Sequence, residues 1–294
     1  MAALLRPYAD ARPDEPAITD ERGTTSWREL DARTGRLADA LRGLGLAAGD
    51  AIAVHSGNRR EYFELMCAAG HIGVRYVMVN WHWTADELRY VLADSGARAL
   101  FSEDAFGDVA REASEGLGLA ARVAFGGPVE GFTPYEEFLA AGAEGDIADP
   151  VMGFPMFYTS GTTGRPKGVS RKQLGAGAPI ETASLVGDVF AELLRIPEGG
   201  RSLLVGPVYH SAQWLWSLVF LLRGRSVVMR RDFDPAETLR LIDEHAITNV
   251  HLVPTQFVRL LRLDEEVRAA FGGAALAAVW HGAAPCPPEV KRRM

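Results

Sequence analysis

An α/β fold of alternating strands and helices is what this sequence predicts. Three observations predict it: short apolar runs bounded by Gly, Pro or Asp, longer stretches with apolar residues at helical spacing, and helix-start signals recurring between the runs. The first is Ser26-Trp27-Arg28-Glu29, a capping box in which the serine hydroxyl and the glutamate carboxylate each satisfy a free backbone N–H. Trp27, Leu30, Leu37, Leu41 and Leu44 follow at near-helical spacing until Gly45. A strand is expected at 50–54, a helix at 59–69 with Tyr62, Leu65, Met66 and Ala69 facing inward, and a strand at 74–79. A second capping box, Thr84-Ala85-Asp86-Glu87, opens a helix carrying Leu88, Val91 and Leu92, and a strand is expected at 97–102.

Between 103 and 150 the signals loosen to a helix near 106–115, a strand near 122–125, and loops at Gly126-Gly127-Pro128 and 142–150. The second loop is the expected boundary, dividing a first α/β region at 1–150 from a second at 151–294. The second region then reads as a helix at 179–194, a strand at 202–205, a very apolar helix at 211–222 and a strand at 226–229. Asp234-Pro235-Ala236-Glu237 provides an N-cap with proline at the first helical position, for a helix to about 245. A strand at 249–253, a helix at 255–263 and a strand at 276–280 complete the alternation, and Pro287-Pro288 starts one more helix.

Composition excludes several classes. The 294 residues are 48% hydrophobic and 23% charged, enough for a sizeable core. With 31 Lys and Arg against 38 Asp and Glu the net charge is −7, so no nucleic-acid partner is expected. Cys67 and Cys286 stand far apart without histidines at metal spacing, which predicts neither a disulfide framework nor a metal site and suits a reducing cytoplasm. Residues 2–16 carry charges and three prolines where a signal peptide needs an apolar core, and the longest apolar run, 214–222, is broken by Ser217 and far short of the ~20 residues of a membrane span.

The chemistry concentrates in residues 157–169, Phe-Tyr-Thr-Ser-Gly-Thr-Thr-Gly-Arg-Pro-Lys-Gly-Val. Gly161, Gly164 and Gly168 permit backbone turns that converge N–H groups on an anion, Thr159, Ser160, Thr162 and Thr163 add hydroxyls, and Lys167 adds charge. The order fails the Walker A pattern, because Lys167 follows Arg165-Pro166 and precedes glycine. A flexible Gly/Ser/Thr linker is the plain alternative, but the stretch follows an apolar run directly and Pro166 stiffens it.

Residues 158–169 resemble the signature loop of the AMP-forming acyl-CoA synthetase, luciferase and peptide-synthetase adenylation superfamily. The resemblance covers nearly the whole chain. It implies two mainly parallel, helix-flanked sheets, the front part of that family's large N-terminal domain. It also implies ATP-dependent activation of a carboxylic acid, fatty or aryl, to an acyl-adenylate, with pyrophosphate released and the acyl group passed to coenzyme A, Mg²⁺ accompanying ATP. In that role Thr159, Ser160, Gly161, Thr162, Thr163, Gly164, Lys167 and Gly168 hold the phosphates. The family's magnesium-binding glutamate, ribose-binding aspartate and small C-terminal domain with its catalytic lysine are expected beyond residue 294, so no catalytic residue is assigned here. A catalytically incomplete nucleotide-binding fragment and a peptide-synthetase adenylation domain are the alternatives.

Two further segments stand at expected strand ends, where ligands gather in open parallel sheets. In Gly206-Pro207-Val208-Tyr209-His210-Ser211, His210 reads either as a pocket residue or as a capping or core histidine; the resemblance implies that Tyr209 and His210 line the acyl site. Gln213 and Trp214 follow on the apolar helix, most of which reads as core, with one face suited to the wall of an acyl pocket. In His281-Gly282-Ala283-Ala284-Pro285 small residues allow either a tight turn or the close approach of a flat ring, and the resemblance implies adenine contact by Gly282, Ala283, Ala284 and Pro285. Cys286 has no evident base and reads as a small packed thiol. Asn80-Trp81-His82-Trp83 reads as a surface seal rather than a ligand cage, and Arg230-Arg231 as a solvated turn.

Overall fold

The expected strands assemble into two sheets. A computed structural model describes residues 2–159, 166–169, 177–194, 196 and 198–294. The chain divides into two units, Met1–Glu15 with Ser26–Ser184 and Pro16–Thr25 with Leu185–Met294.

The first unit holds a seven-stranded sheet in the order Thr133–Pro134, Ala121–Phe125, Ala97–Glu103, Ala51–His55, Arg75–Val79, Pro155–Thr159, Lys167–Val169. All neighbours are parallel except the last pair. Its central strand, Ala51–His55, is buried along its whole length, as a parallel strand covered on both faces must be. Helix Trp27–Gly43 begins at the expected capping box: Ser26 Oγ accepts from the Glu29 N–H at 3.3 Å and the Ser26 N–H donates to Glu29 Oε2 at 2.8 Å. Trp27, Leu30, Leu37 and Leu41 are buried on its inner stripe. Helix Ala85–Ser95 starts at the second box, around Thr84 and Glu87, and ends at Gly96, whose φ of +66° is the left-handed cap that favours glycine. Its Leu88, Val91 and Leu92 pack with Val77, Val79 and Leu100 on one face of the sheet.

The second unit holds a six-stranded sheet, Ala278–His281, Asn249–Leu252, Arg201–Leu204, Ser226–Met229, Pro16–Asp20, Gly23–Ser26. The first five run parallel. Helix Pro235–Glu244 begins at Asp234, whose carboxylate accepts from the Glu237 N–H, and its Leu241 and Ile242 join Leu203, Val228, Val250, Phe257 and Leu260 in the core. Val290, on the terminal helix Pro288–Arg293, packs against the same cluster.

Strand pairing relocates the expected division after residue 150. Pro155–Thr159 adds to Arg75–Val79 in register (Tyr76 opposite Pro155, Met78 opposite Phe157), which ties the hydroxyl-rich segment to the first unit. Conversely Ile18 and Thr19 pair with Val227 and Val228, which takes the N-terminal strand into the second. Helix Arg6–Ala11, both N-terminal strands, Thr133–Pro134, helix Tyr135–Ala140, strand Lys167–Val169 and helix Glu265–Ala269 have no counterpart in the sequence pattern; each is too short for a period to declare itself. The helix expected at 179–194 starts later, at Glu181.

The helix expected at 211–222 is not uniform: four residues of α-helix, Ser211–Trp214, pass into a π-helix, Leu215–Val219. Arg230 is no solvated residue, since its side chain is 14% exposed and its Nε donates to Glu237 at 2.9 Å. Trp81 stacks with Phe106 and Trp83 meets Tyr158 edge-on, packing within the first unit. Cys67 is buried, which pushes its thiol pKa up, and Cys286 packs beside the second core. Among the described residues no helix is long and apolar enough to cross a membrane.

Candidate functional site

Of the phosphate-loop residues the structure describes Thr159, Pro166, Lys167 and Gly168, whereas Ser160, Gly161, Thr162, Thr163 and Gly164 lie outside the described residues. Thr159 and Lys167 are cross-strand partners in an antiparallel pair, with Tyr158 opposite Gly168 and Phe157 opposite Val169. Thr159 and Lys167 are both exposed. The pair is tied down by Tyr158, whose hydroxyl donates to Asp94 Oδ2 at 2.7 Å and whose ring meets Trp83. Burial, then the Asp94 carboxylate, push the Tyr158 pKa up and keep that phenol a donor. Gly168 packs closely here: a Cβ there would lie 2.7 Å from Met156 Cε and 3.0 Å from Tyr158 Cζ, so those side-chain ends would have to shift. The two described ends of the hydroxyl-rich segment are therefore braced.

In the second unit the ends of the parallel strands open on a pocket of about 270 Å³. His210, Gln213 and Ala283, expected site residues from two separate segments, are brought together on its wall. His210 occupies the N-cap position of the helix it precedes, but its side chain makes no cap hydrogen bond, and it is exposed rather than part of the core. Tyr209 and Trp214 do not line this pocket; Tyr209 lies beside the His210 ring at 4.5 Å between centroids. Gly282, Ala284 and Pro285 are likewise off its wall, although Gly282 passes so close to His251 that a Cβ would stand 3.2 Å from Nε2. Ala283 holds a φ of +64°, a left-handed conformation that costs a non-glycine residue about 1–3 kcal/mol, so this turn is strained where it meets the pocket.

Gln213 is buried and held from both ends. Its amide nitrogen lies 3.2 Å from His251 Nδ1 and 3.4 Å from the His251 carbonyl oxygen. Its backbone carbonyl accepts from the Ser217 hydroxyl at 2.6 Å, a side-chain partner supplied inside the π-helix, where the regular ladder is interrupted. Behind His251, Trp216 lies nearly parallel to the imidazole with centroids 6.1 Å apart, and Trp280 stacks on Trp216 at 3.9 Å. Gln256 joins the strand ends, accepting from the Val253 N–H at 2.8 Å and donating to the Val205 carbonyl at 3.3 Å.

His251 and Gln256 were not singled out by sequence. His251 stands at the end of strand Asn249–Leu252, so the strand-end rule that selected His210 and the 281–285 turn contains the signal that would have found it. Nothing in the local pattern marks Gln256, whose role depends on a partner 51 residues away. The wall combines apolar surface with a few convergent polar groups, the usual make-up of a small-molecule site. Among the described residues no group of three or more His, Cys, Asp or Glu is placed to hold a metal ion.

Comparison with known proteins bears on the family and the fold. Residues 5–294 match the family model described as AMP-binding enzyme. A fatty acid–[acyl-carrier-protein] ligase of Streptomyces coeruleorubidus is 30% identical over 86% of this chain and 48% of its own length. A feruloyl-CoA synthase of an Amycolatopsis species is 29% identical over 98% of this chain and 55% of its own. The chain thus spans about half the length of these curated relatives. In fold it is similar to the crystal structure of a putative long-chain-fatty-acid CoA ligase from Rhodopseudomonas palustris, with a TM-score of 0.83 at 24% identity, covering 99% of this chain and 70% of that one. With the family model matched from residue 5 to residue 294, the chain belongs to the AMP-binding enzyme family.

Proposed function

We propose that this chain carries the ATP- and acid-binding part of an enzyme that activates a carboxylic acid as its acyl-adenylate and passes the acyl group to coenzyme A. The observation that carries this reading is the braced antiparallel pair that sets Thr159 opposite Lys167 at the two ends of a hydroxyl- and glycine-rich segment, in a chain of the AMP-binding family. In the reaction a carboxylate oxygen forms a bond to the α-phosphorus of ATP while the bond from that phosphorus to the bridging oxygen breaks, and pyrophosphate leaves with the electron pair. Such a displacement needs the triphosphate held still and its developing charge met by fixed donors. Thr159, Ser160, Gly161, Thr162, Thr163, Gly164 and Gly168 are assigned to hold the β- and γ-phosphates through hydroxyl and amide groups, and Lys167 to meet their charge.

His210 and Gln213 are assigned to the acyl pocket, and the turn Gly282 to Pro285 to the adenine. The pocket's lining contains neither Asp nor Glu, which favours a neutral acyl or aryl group over the ammonium of an amino acid. Both curated relatives above are named as ligases or synthases of such acids. Mg²⁺ is the expected companion of ATP. The described residues hold no cluster of three or more acidic or other metal-binding side chains to receive it.

Lys167→Ala tests the assignment directly. Loss of one charge-assisted contact is expected to weaken ATP binding by about 10- to 100-fold, measured by calorimetric titration of the purified chain. Unchanged nucleotide affinity in that variant would remove the loop from its role. In the full gene product, acid-dependent exchange of pyrophosphate into ATP reports adenylation, and no exchange with any fatty or aryl acid would overturn the activity itself.

A further inference from the structure

A histidine on the wall of the second unit's pocket carries an imidazole nitrogen that has no hydrogen-bond partner among the described residues. His251 is 4% exposed, yet it lines the pocket. Its Nδ1 meets the Gln213 amide, while its Nε2 makes no hydrogen bond to any described residue.

Gln213 decides which nitrogen carries the proton. One atom of its amide lies within 3.4 Å of the His251 carbonyl oxygen and 3.2 Å of Nδ1. A carbonyl oxygen only accepts, so that atom is the amide NH₂, and its second N–H points to Nδ1 as an acceptor. Burial, and then the neighbouring His281, lower the His251 pKa to about 4, so near neutral pH the ring is uncharged. Its single proton therefore sits on Nε2 as a donor. Gly282 keeps that donor uncovered, since a Cβ there would stand 3.2 Å from it. The Trp216 and Trp280 stack holds the ring plane, so the donor direction is set before a ligand arrives.

We infer that His251 Nε2–H is a specificity contact selecting short-chain or single-ring carboxylic acids that carry a hydrogen-bond acceptor, such as an ether or keto oxygen, an inference that rests on the pocket being the acyl site. A volume of about 270 Å³, just under the roughly 300–1,000 Å³ common for small-molecule sites, suits ligands of that size. An acid with a methylene or methyl in place of the acceptor strips water from Nε2 and gives nothing back. A site built to hydrogen-bond its ligand discriminates strongly against such analogues.

The test is calorimetric titration of the purified chain with paired acids: 2-, 3- and 4-methoxybenzoate against the matching ethylbenzoates, and 4-oxopentanoate against 4-methylpentanoate. In at least one pair the oxygen-bearing acid is expected to bind about 10- to 100-fold more tightly. His251→Phe keeps a ring on Trp216 and removes the donor; it should bring that ratio close to one while the hydrocarbon acid binds within about threefold of its original affinity. A ratio that survives His251→Phe, or no preference in any pair, overturns the inference. Should His251→Phe fail to fold, as thermal melting would reveal, Gln213→Met releases the tautomer instead, and an unchanged ratio there is equally fatal.

Ala212→Trp fills the pocket and separates the two levels. If all acids bind that variant undiminished, the acyl-site reading falls and this inference with it. If it abolishes binding while His251→Phe leaves the ratio intact, only the role of His251 is lost.

Discussion

Replacement of Arg59 by methionine is expected to destabilise the chain by about 3–5 kcal/mol, because it removes one cation from between two buried carboxylates. Arg59 is 9% exposed; its Nε and Nη2 donate to Glu61 at 3.1 and 2.8 Å, and its Nη1 to Glu103 at 3.3 Å. Glu103 also accepts from the Gly57 N–H at 3.0 Å and from Ser56 Oγ, which ties the ion group to the end of strand Ala51–His55. Desolvating three charges is costly, and the cost is offset only while all three remain paired. Methionine leaves Glu61 and Glu103 near each other without the guanidinium they share. Urea unfolding of wild type and variant at neutral pH measures the difference, and a loss below about 1 kcal/mol would mean that water or rearrangement compensates the carboxylates. Arg59→Lys is expected to recover only part of the loss, since an ammonium lacks the fork that reaches both partners at once.

The second large effect is acid sensitivity centred on His71. This residue is 1% exposed; its Nε2 accepts from the Leu4 N–H at 3.1 Å and its Nδ1 lies 2.7 Å from the Cys67 carbonyl oxygen. The carbonyl requires the proton on Nδ1, and the backbone N–H requires a lone pair on Nε2, so the native state accepts only the neutral ring. Burial is the largest cause lowering its pKa from 6.5 to about 4. Above pH 6.5 neither state binds a proton and stability does not respond. Between 6.5 and about 4 the unfolded chain takes up a proton that the native chain refuses, so stability falls as pH falls, by about 1.4 kcal/mol per pH unit, and the loss levels off below about 4. His71→Gln removes this linkage. From pH 6.5 to 5.0 its urea-derived stability should drop by about 2 kcal/mol less than that of wild type, and equal drops would refute the assignment. His55 and His251, each lowered to about 4 with burial as the largest cause, add the same sign of acid loss in wild type and variant alike.

Much of the fold was legible because the signals are local. The serine and threonine of the two capping boxes are followed three residues later by the glutamates that complete them, and both helices start where those pairs place them. Buried parallel strands such as Ala51–His55 and Arg75–Val79 announce themselves as apolar runs. Strand Pro16–Asp20 could not be read in the same way, because it owes its place to Val227 and Val228, over two hundred residues later. For the same reason the division into units follows pairing rather than the polar loop at 142–150.

The site divides along the same line. The composition and order of residues 157–169, the strand-end positions of His210 and of the 281–285 turn, and the resemblance they carry were set by sequence alone, since each depends on neighbours within a few positions. Which of those residues share a wall was decided by the second sheet. Its register sets His251 opposite Trp280 on neighbouring strands, and Gln213 reaches His251 from a helix widened at Leu215–Val219. The pairing of His251 with Gln213, the strain at Ala283 and the exclusion of Tyr209 and Trp214 from the pocket wall have no local signal, because each follows from groups converging across dozens of residues in a close-packed interior.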